Sequence, residues 1–195
     1  VFTSLFHGRD LVLIPPELFV VRPALWLRAI ARHRATISPA PNFAYALCTE
    51  RVRDEELDGA DLSSWRVALN GAEPVTPLAL ERFVERFARW GLRPEALTPV
   101  YGLAEATLAV TFSAVERPFR VRHFDARVLA EDGRAVVVES GQPIVSLGAP
   151  LPGFDVAIVG DDGRALGAGA VGRVRARGPS IMAGYDGMPE ATRAV

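Results

Sequence analysis

A chain of 195 residues with 49% hydrophobic side chains has enough apolar material for a real core, as one compact domain or two small ones. Its 22 basic and 23 acidic side chains leave a net charge of −1, which gives no electrostatic ground for nucleic-acid binding. Every basic side chain is an arginine, so no Schiff-base, phosphate-gripping or acyl-activating lysine can come from this chain.

Leu11-Val12-Leu13-Ile14 reads as a buried strand stopped by Pro15-Pro16. Pro23 then opens a helix on which Trp26, Leu27, Ile30 and Ala31 share a face. Ala35-Thr36-Ile37-Ser38 is a second short strand, followed by Pro39-Ala40-Pro41 and a helix from about Asn42. That helix carries Cys48. A lone cysteine excludes an internal disulfide, suits a reducing, cytoplasmic setting, and reads as a small core residue. Trp65 to Leu69 is a third strand, running into Asn70-Gly71-Ala72-Glu73-Pro74. Next, Thr76 is placed to cap a helix and Pro77 to start it. Leu80, Phe83, Val84 and Phe87 line one face up to Trp90, and Gly91 stops it. Leu97-Thr98-Pro99-Val100 is a fourth strand, leading into Tyr101-Gly102-Leu103-Ala104-Glu105. This alternation predicts an α/β architecture over 1–115, a mostly parallel sheet with flanking helices.

Past about residue 115 the period changes to two, in Phe119 to Arg122, Asp155 to Val159 and Val171 to Arg177. Asp161-Asp162-Gly163 is a hairpin turn signal. Residues 116–195 therefore read as a smaller antiparallel β-rich, barrel-like subdomain. Arg173, Arg175 and Arg177 share one strand face, which reads as solvated. His7, His33 and His123 have no metal-ligand spacing and read as structural. No apolar run reaches the roughly 18 residues needed to span a bilayer, and no signal peptide is visible. The chain opens in mid-pattern without an initiating methionine, so it reads as an internal piece of a longer protein.

In a parallel α/β sheet, ligands collect where strands end and the turns into the following helices expose backbone amides. Two such turns stand out. Small residues in Asn70-Gly71-Ala72-Glu73 let a flat ring approach the backbone. Tyr101 to Glu105 places an aromatic ring and a carboxylate at one edge. If the two strands are neighbours, Tyr101 and Gly71 face each other across a slot one ring thick, with Glu105 beside it for a hard cation such as Mg²⁺. Taken by spacing alone, such turns more often exist only to turn.

The wording of the segments adds a resemblance. Pro99-Val100-Tyr101-Gly102-Leu103-Ala104-Glu105-Ala106-Thr107 resembles the aromatic-Gly-x-x-Glu core motif of the adenylate-forming superfamily, which holds acyl-CoA synthetases, adenylation domains and luciferases. Its Tyr-Gly-Leu-Ala-Glu-Ala-Thr form is similar to that of the fatty acyl-AMP ligase branch. Asn70 to Pro74 resembles the superfamily's adenine-binding turn, and Arg34 to Tyr45 a segment beside the acyl tunnel. Gly172-Arg173-Val174 through Gly184-Tyr185, with Pro189-Glu190-Ala191-Thr192, resembles a later motif of the same superfamily. The match runs through nearly the whole chain in order, as an internal fragment of the large N-terminal domain.

This resemblance implies that Tyr101 stacks on adenine, that Gly71, Ala72 and Glu73 form the opposite wall with Gly102 beside the ring, and that Glu105 binds the Mg²⁺ accompanying ATP. Asn42 and Phe43 would lie near the acyl chain, or else serve only as helix start and core. The parent would be an ATP-dependent ligase that turns a fatty acid into its acyl-adenylate for the phosphopantetheine arm of an acyl carrier protein, often in polyketide assembly. Its rivals are a ligase delivering to coenzyme A and a non-catalytic nucleotide-binding scaffold. Two positions depart from the superfamily's pattern: Ala104 lacks the hydroxyl many relatives place before the motif glutamate, and Arg173 stands where a glutamate is usual. No catalytic residue is assigned within the chain, because the lysine-bearing phosphate loop, the ribose-binding aspartate and the C-terminal catalytic lysine belong to segments outside it. Residues 126–145 resemble the extra segment of the acyl-AMP branch; three adjacent valines, Val136 to Val138, predict that it docks on the first subdomain, the alternative being an ordinary β-hairpin of the second.

Overall fold

The computed structural model describes residues 2–194. Helices α1 (Phe2–Phe6), α2 (Pro16–Val21) and α3 (Ala24–His33) come first. The expected strand at Leu11 to Ile14 does not form, and this stretch is irregular, with Leu13 69% exposed. A strand needs a neighbouring edge to take up its backbone N–H and C=O groups, and no described strand pairs with it. Pro23 stands at the N-cap position, immediately before α3 begins, and Ala24, Trp26, Leu27 and Ile30 turn inward. At the other end Arg34, at φ 47°, reverses the chain.

Strand β1 (Ile37–Ala40) begins two residues later than the sequence suggests, and α4 (Asn42–Arg51) begins where expected. Strand β2 (Val67–Asn70) follows, then α5 (Pro77–Phe87) with proline in its first turn. Thr76 sits at the N-cap position but its side chain caps nothing; its hydroxyl accepts instead from Asn42 Nδ2 at 3.0 Å. Gly91 ends the helical stretch at φ 87°, a left-handed value open to glycine at little cost. Strand β3 (Leu97–Leu103) then runs three residues past its predicted end, and β4 (Leu108–Phe112) folds back on it.

Strand β5 (Val121–Phe124), helix α6 (Ala126–Glu131), strands β6 (Gln142–Val145), β7 (Ala149–Pro150), β8 (Asp155–Val159) and β9 (Arg173–Arg177), and helix α7 (Pro189–Arg193) complete the described chain. The main sheet has the order β1-β2-β3-β4-β7. Its first three strands are parallel, and β4 and β7 extend it antiparallel. The β-rich remainder is antiparallel as expected, but as two separate ribbons, β5–β6 and β8–β9, rather than a closed barrel.

The core gathers Trp26, Tyr45, Trp65, Phe83 and Phe87 from α3, α4, α5 and the approach to β2. Their rings meet mainly edge to face, as between Trp26 and Trp65 at 5.1 Å and Tyr45 and Phe83 at 5.0 Å. Each polar tip has a partner: Trp26 Nε1 donates to Ser38 Oγ at 2.8 Å, Tyr45 to the Leu69 carbonyl at 2.9 Å, and Trp65 Nε1 to the Val67 carbonyl at 3.1 Å. Burial at the same place raises the Tyr45 hydroxyl and pushes the Cys48 thiol up to about 12. Cys48 is fully buried, so Ellman's reagent is expected to leave it untouched in the native chain and to titrate one thiol in denaturant. Prompt native reaction would place Cys48 in a site that opens.

Residues 126–145 are ordered, and their valines divide: Val145, at the end of β6, is buried, but two of the three adjacent ones are not. Val136 and Val137 are 42% and 58% exposed. The backbone of this stretch bonds instead to β5, through Asp125 N to Val136 O and Val138 N to His123 O, and to the loop before β9, through Ala135 N to Gly169 O. The backbone's need for partners decides at Val136 and Val137: this part of the stretch becomes a third rail of the β5–β6 ribbon, while β6, the end of the same segment, approaches α5.

Candidate functional site

β2 and β3 are parallel neighbours with Asn70 beside Pro99. β2 ends there while β3 continues, so the turn after Asn70 runs alongside Val100, one residue before Tyr101. Gly71 makes that approach possible: a Cβ on it would lie 2.8 Å from the Val100 carbonyl oxygen and 3.0 Å from Val100 Cγ2. Ala72 follows at φ 70°, an uncommon value for a residue with a side chain, and bends the chain sharply. The turn and the half-buried Tyr101 thus share the carboxyl-terminal edge of one sheet.

Glu73 is committed elsewhere. Its carboxylate accepts the Phe43 backbone N–H at 2.5 Å, at the open N-terminus of α4 where a negative charge is favoured. Asn42 is committed as well: its Oδ1 accepts from Asn70 Nδ2 and from the Thr76 N–H, both at 3.2 Å. Together Asn42 and Glu73 tie the start of α4 to the 70–76 turn from behind. Phe43 lies 48% exposed, its ring edge-on to Phe19 at 6.3 Å, and is the member of this pair left facing outward. Asn70 is fully buried and its Oδ1 has no partner, a cost that no pattern in the sequence signals.

The Tyr101-to-Glu105 segment does not lead into a helix, as parallel α/β order suggests it should. Ala104–Ala106 makes a single tight turn, and Thr107 and Leu108, at φ 53° and 90°, send the chain back as β4. A register shift between Tyr101 and Gly102 bends the hairpin. At Gly102 the strands come so close that a Cβ would stand 1.7 Å from the Leu108 carbonyl oxygen. Glu105 is therefore presented at a hairpin tip, half-buried.

A partner that the sequence does not reveal meets it there. The Tyr185 hydroxyl donates to Glu105 Oε1 at 2.5 Å, and the Met182 N–H donates to the Glu105 carbonyl at 2.7 Å. The Tyr185 bond, helped by the backbone N–H of Glu105, holds the carboxyl below its ordinary value; the same bond raises the Tyr185 hydroxyl. Tyr185 is visible as part of a Gly-Tyr motif, but nothing in its spacing points 80 residues back. Among the described residues no three His, Cys, Asp or Glu side chains gather into a metal cage. One ionised carboxylate with phosphate oxygens is, however, a usual way of holding Mg²⁺.

The arginine face of β9 is exposed, and two of its three arginines bond to their own hairpin. Arg173 donates to the carbonyls of Gly160 and Asp161, each at 3.3 Å, and Arg175 to that of Gly163 at 3.1 Å. No helix among the described residues is long and apolar enough to cross a membrane.

Residues 1–186 match the AMP-binding enzyme family. The chain is 38% identical to a putative acyl-CoA synthetase of Caulobacter vibrioides, over 94% of its own length and 33% of the relative's. It is 40% identical to the medium-chain fatty acid acyl-carrier-protein ligase JamA of Moorena producens, over 97% of its own length and 33% of JamA. Among solved structures, the fatty acyl-adenylate ligase of L. pneumophila in complex with acyl adenylate and pyrophosphate superposes with a TM-score of 0.93 at 36% identity, covering 99% of this chain and 34% of that one. The chain thus spans about a third of the length of these relatives. With its sheet, its two edge turns and this match in hand, the chain belongs to the AMP-binding enzyme family.

Proposed function

We propose that this chain supplies the adenine-binding wall and one cation-binding carboxylate of an ATP-dependent ligase that activates a fatty acid. The observation that carries the reading is the contact of Gly71 with Val100, which sets the Gly71-Ala72 turn beside Tyr101 at one sheet edge. In this reading the Tyr101 ring stacks on adenine, and Gly71, Ala72 and Gly102 leave room for it. Glu73 acts behind the wall, by holding α4. Glu105 is the ligand for Mg²⁺, which when bound offsets phosphate charge. Phe43 faces the acyl side. A fatty carboxylate oxygen attacks the α-phosphorus of ATP, the bond to the pyrophosphate oxygen breaks, and acyl-adenylate and pyrophosphate result. A carrier-protein phosphopantetheine thiol then takes the acyl group and AMP leaves. The name of the L. pneumophila ligase supports the acyl-adenylate, and that of JamA the carrier-protein acceptor; the Caulobacter relative's name favours coenzyme A as the alternative acceptor.

The intact ligase is expected to exchange labelled pyrophosphate into ATP only when fatty acid is present, and to transfer the acyl group to carrier protein in preference to coenzyme A. The 195-residue chain by itself has no lysine to grip phosphate and is expected to give no exchange. Exchange by the isolated chain would overturn its assignment as part of a site. Ready acyl-CoA formation by the intact ligase would replace the carrier-protein reading.

A further inference from the structure

The Gly184-Tyr185 to Thr192 motif has no part in the adenine wall, yet its Tyr185 reaches Glu105. Four hydrogen bonds join the hairpin tip to the segment before α7. Met182 N donates to the Glu105 carbonyl at 2.7 Å, Thr107 Oγ1 to the Ser180 carbonyl at 2.9 Å, Ser180 Oγ to the Ala106 carbonyl at 2.9 Å, and the Tyr185 hydroxyl to Glu105 Oε1. Three of these fix backbone to backbone or backbone to hydroxyl. Only the fourth reaches the carboxylate, and no second described side chain donates to it.

Tyr185 is in turn held from behind. Its N–H donates to Thr192 Oγ1 at 2.9 Å, and that hydroxyl donates onward to the Met188 carbonyl at 3.0 Å. Thr192 can sit this close because residue 184 is glycine: a Cβ there would lie 2.7 Å from Thr192 Cγ2. The first turn of α7 therefore fixes the backbone of Tyr185, and its hydroxyl fixes one oxygen of Glu105.

We infer that Tyr185, seated by Thr192, is a positioning residue that orients the Glu105 carboxylate by occupying Oε1 and leaving Oε2 for a divalent cation. The inference rests on Glu105 being a cation ligand, as proposed above. A metal-binding carboxylate gains from such an outer partner because the bond removes rotational freedom that cation binding would otherwise have to restrict.

The test uses the intact ligase with Mn²⁺ as the probe, its binding followed by electron paramagnetic resonance in the presence of α,β-methylene-ATP. Glu105→Gln serves as the reference for losing the ligand. Tyr185→Phe, which removes one oxygen, is expected to weaken Mn²⁺ about tenfold. Thr192→Val is expected to weaken it in the same direction, Thr192→Ser to retain wild-type affinity, and the double variant Tyr185→Phe/Thr192→Val to be no worse than Tyr185→Phe alone. Apparent affinity for the fatty acid stays unchanged throughout, which a general loss of structure would not allow. If Glu105→Gln weakens Mn²⁺ and Tyr185→Phe does not, the inference fails and the cation reading stands. Unchanged Mn²⁺ affinity in Glu105→Gln overturns both. Additive losses in the double variant overturn the route through Thr192.

Discussion

Replacing Gly102 with alanine is expected to lower the thermal midpoint of the protein by about 10 °C or more, or to prevent folding outright. Ordinary tight contacts of a Cβ do not come within 3.0 Å, and here one would stand 1.7 Å from the Leu108 carbonyl oxygen and 2.7 Å from its carbon. Neither atom belongs to a side chain that can swing away. To make room, β3 and β4 must separate at the bend between Tyr101 and Gly102, breaking the pairing of Gly102 with Ala109 and Leu103 with Leu108. That pairing is what carries Glu105 out to its tip, so nucleotide binding is expected to vanish with stability. Gly167→Ala is the control, since a Cβ there meets nothing within 4 Å and the backbone carries no left-handed strain. It is expected to change stability by no more than about 0.5 kcal/mol. Calorimetric midpoints for the two variants decide the matter, and a Gly102→Ala midpoint within a few degrees of wild type would mean that the hairpin yields without cost.

The same hairpin marks the boundary of what can be read from the sequence. The helices are legible because their signals are local. Pro77 starts α5, Gly91 closes the 3-10 turn Ala88–Trp90 that continues it, and the spacing of Leu80, Phe83 and Phe87 names the buried face. β2 and β3 are legible as apolar runs between turn residues, and their parallel pairing agrees with the helix between them. The reversal beyond Glu105 is not legible. A strand that leads into a helix and a strand that leads into a reversal look alike up to their last residue, and the reversal here is made by Thr107 and Leu108 in left-handed conformations that neither residue type advertises.

The site divides along the same line. Gly71, Tyr101 and Glu105 stand out because their chemistry and their place after strands agree. Glu73 and Asn42 belong to the right neighbourhood, but their side chains are taken up by α4's N-terminus and by Asn70 and Thr76. Those bonds span about thirty residues and leave no periodic trace. Tyr185 escapes notice for the same reason on a larger scale, its bond to Glu105 spanning 80 residues. The absent strand at Leu11 to Ile14 and the exposed Val136 and Val137 are a third kind of miss. Apolar composition says that a segment gains by burial, not which surface is available to bury it.

Tyr101→Ala in the intact ligase is expected to raise the apparent KM for ATP by about tenfold or more while leaving that for the fatty acid within about twofold. Stacking of a base on an aromatic ring is worth roughly 1–3 kcal/mol by alanine substitution, and a half-buried ring at a sheet edge belongs in the lower half of that range. The split between substrates matters more than the size of the loss, because Tyr101 also has a structural position. It pairs with Thr111 across the hairpin, beside the register shift, and its loss could loosen the strand pair. A loosened hairpin would carry Glu105 and the whole edge with it, weakening both substrates and lowering the thermal midpoint. Loss of stacking alone touches only the nucleotide. Tyr101→Phe separates the two further, since it keeps the ring and removes the hydroxyl. The adenine reading requires it to behave like wild type toward ATP, because a base stacks on either ring. Equal losses for ATP and fatty acid, or a Tyr101→Phe defect as large as that of Tyr101→Ala, would take the ring off adenine and leave Tyr101 as a residue of the β3–β4 bend.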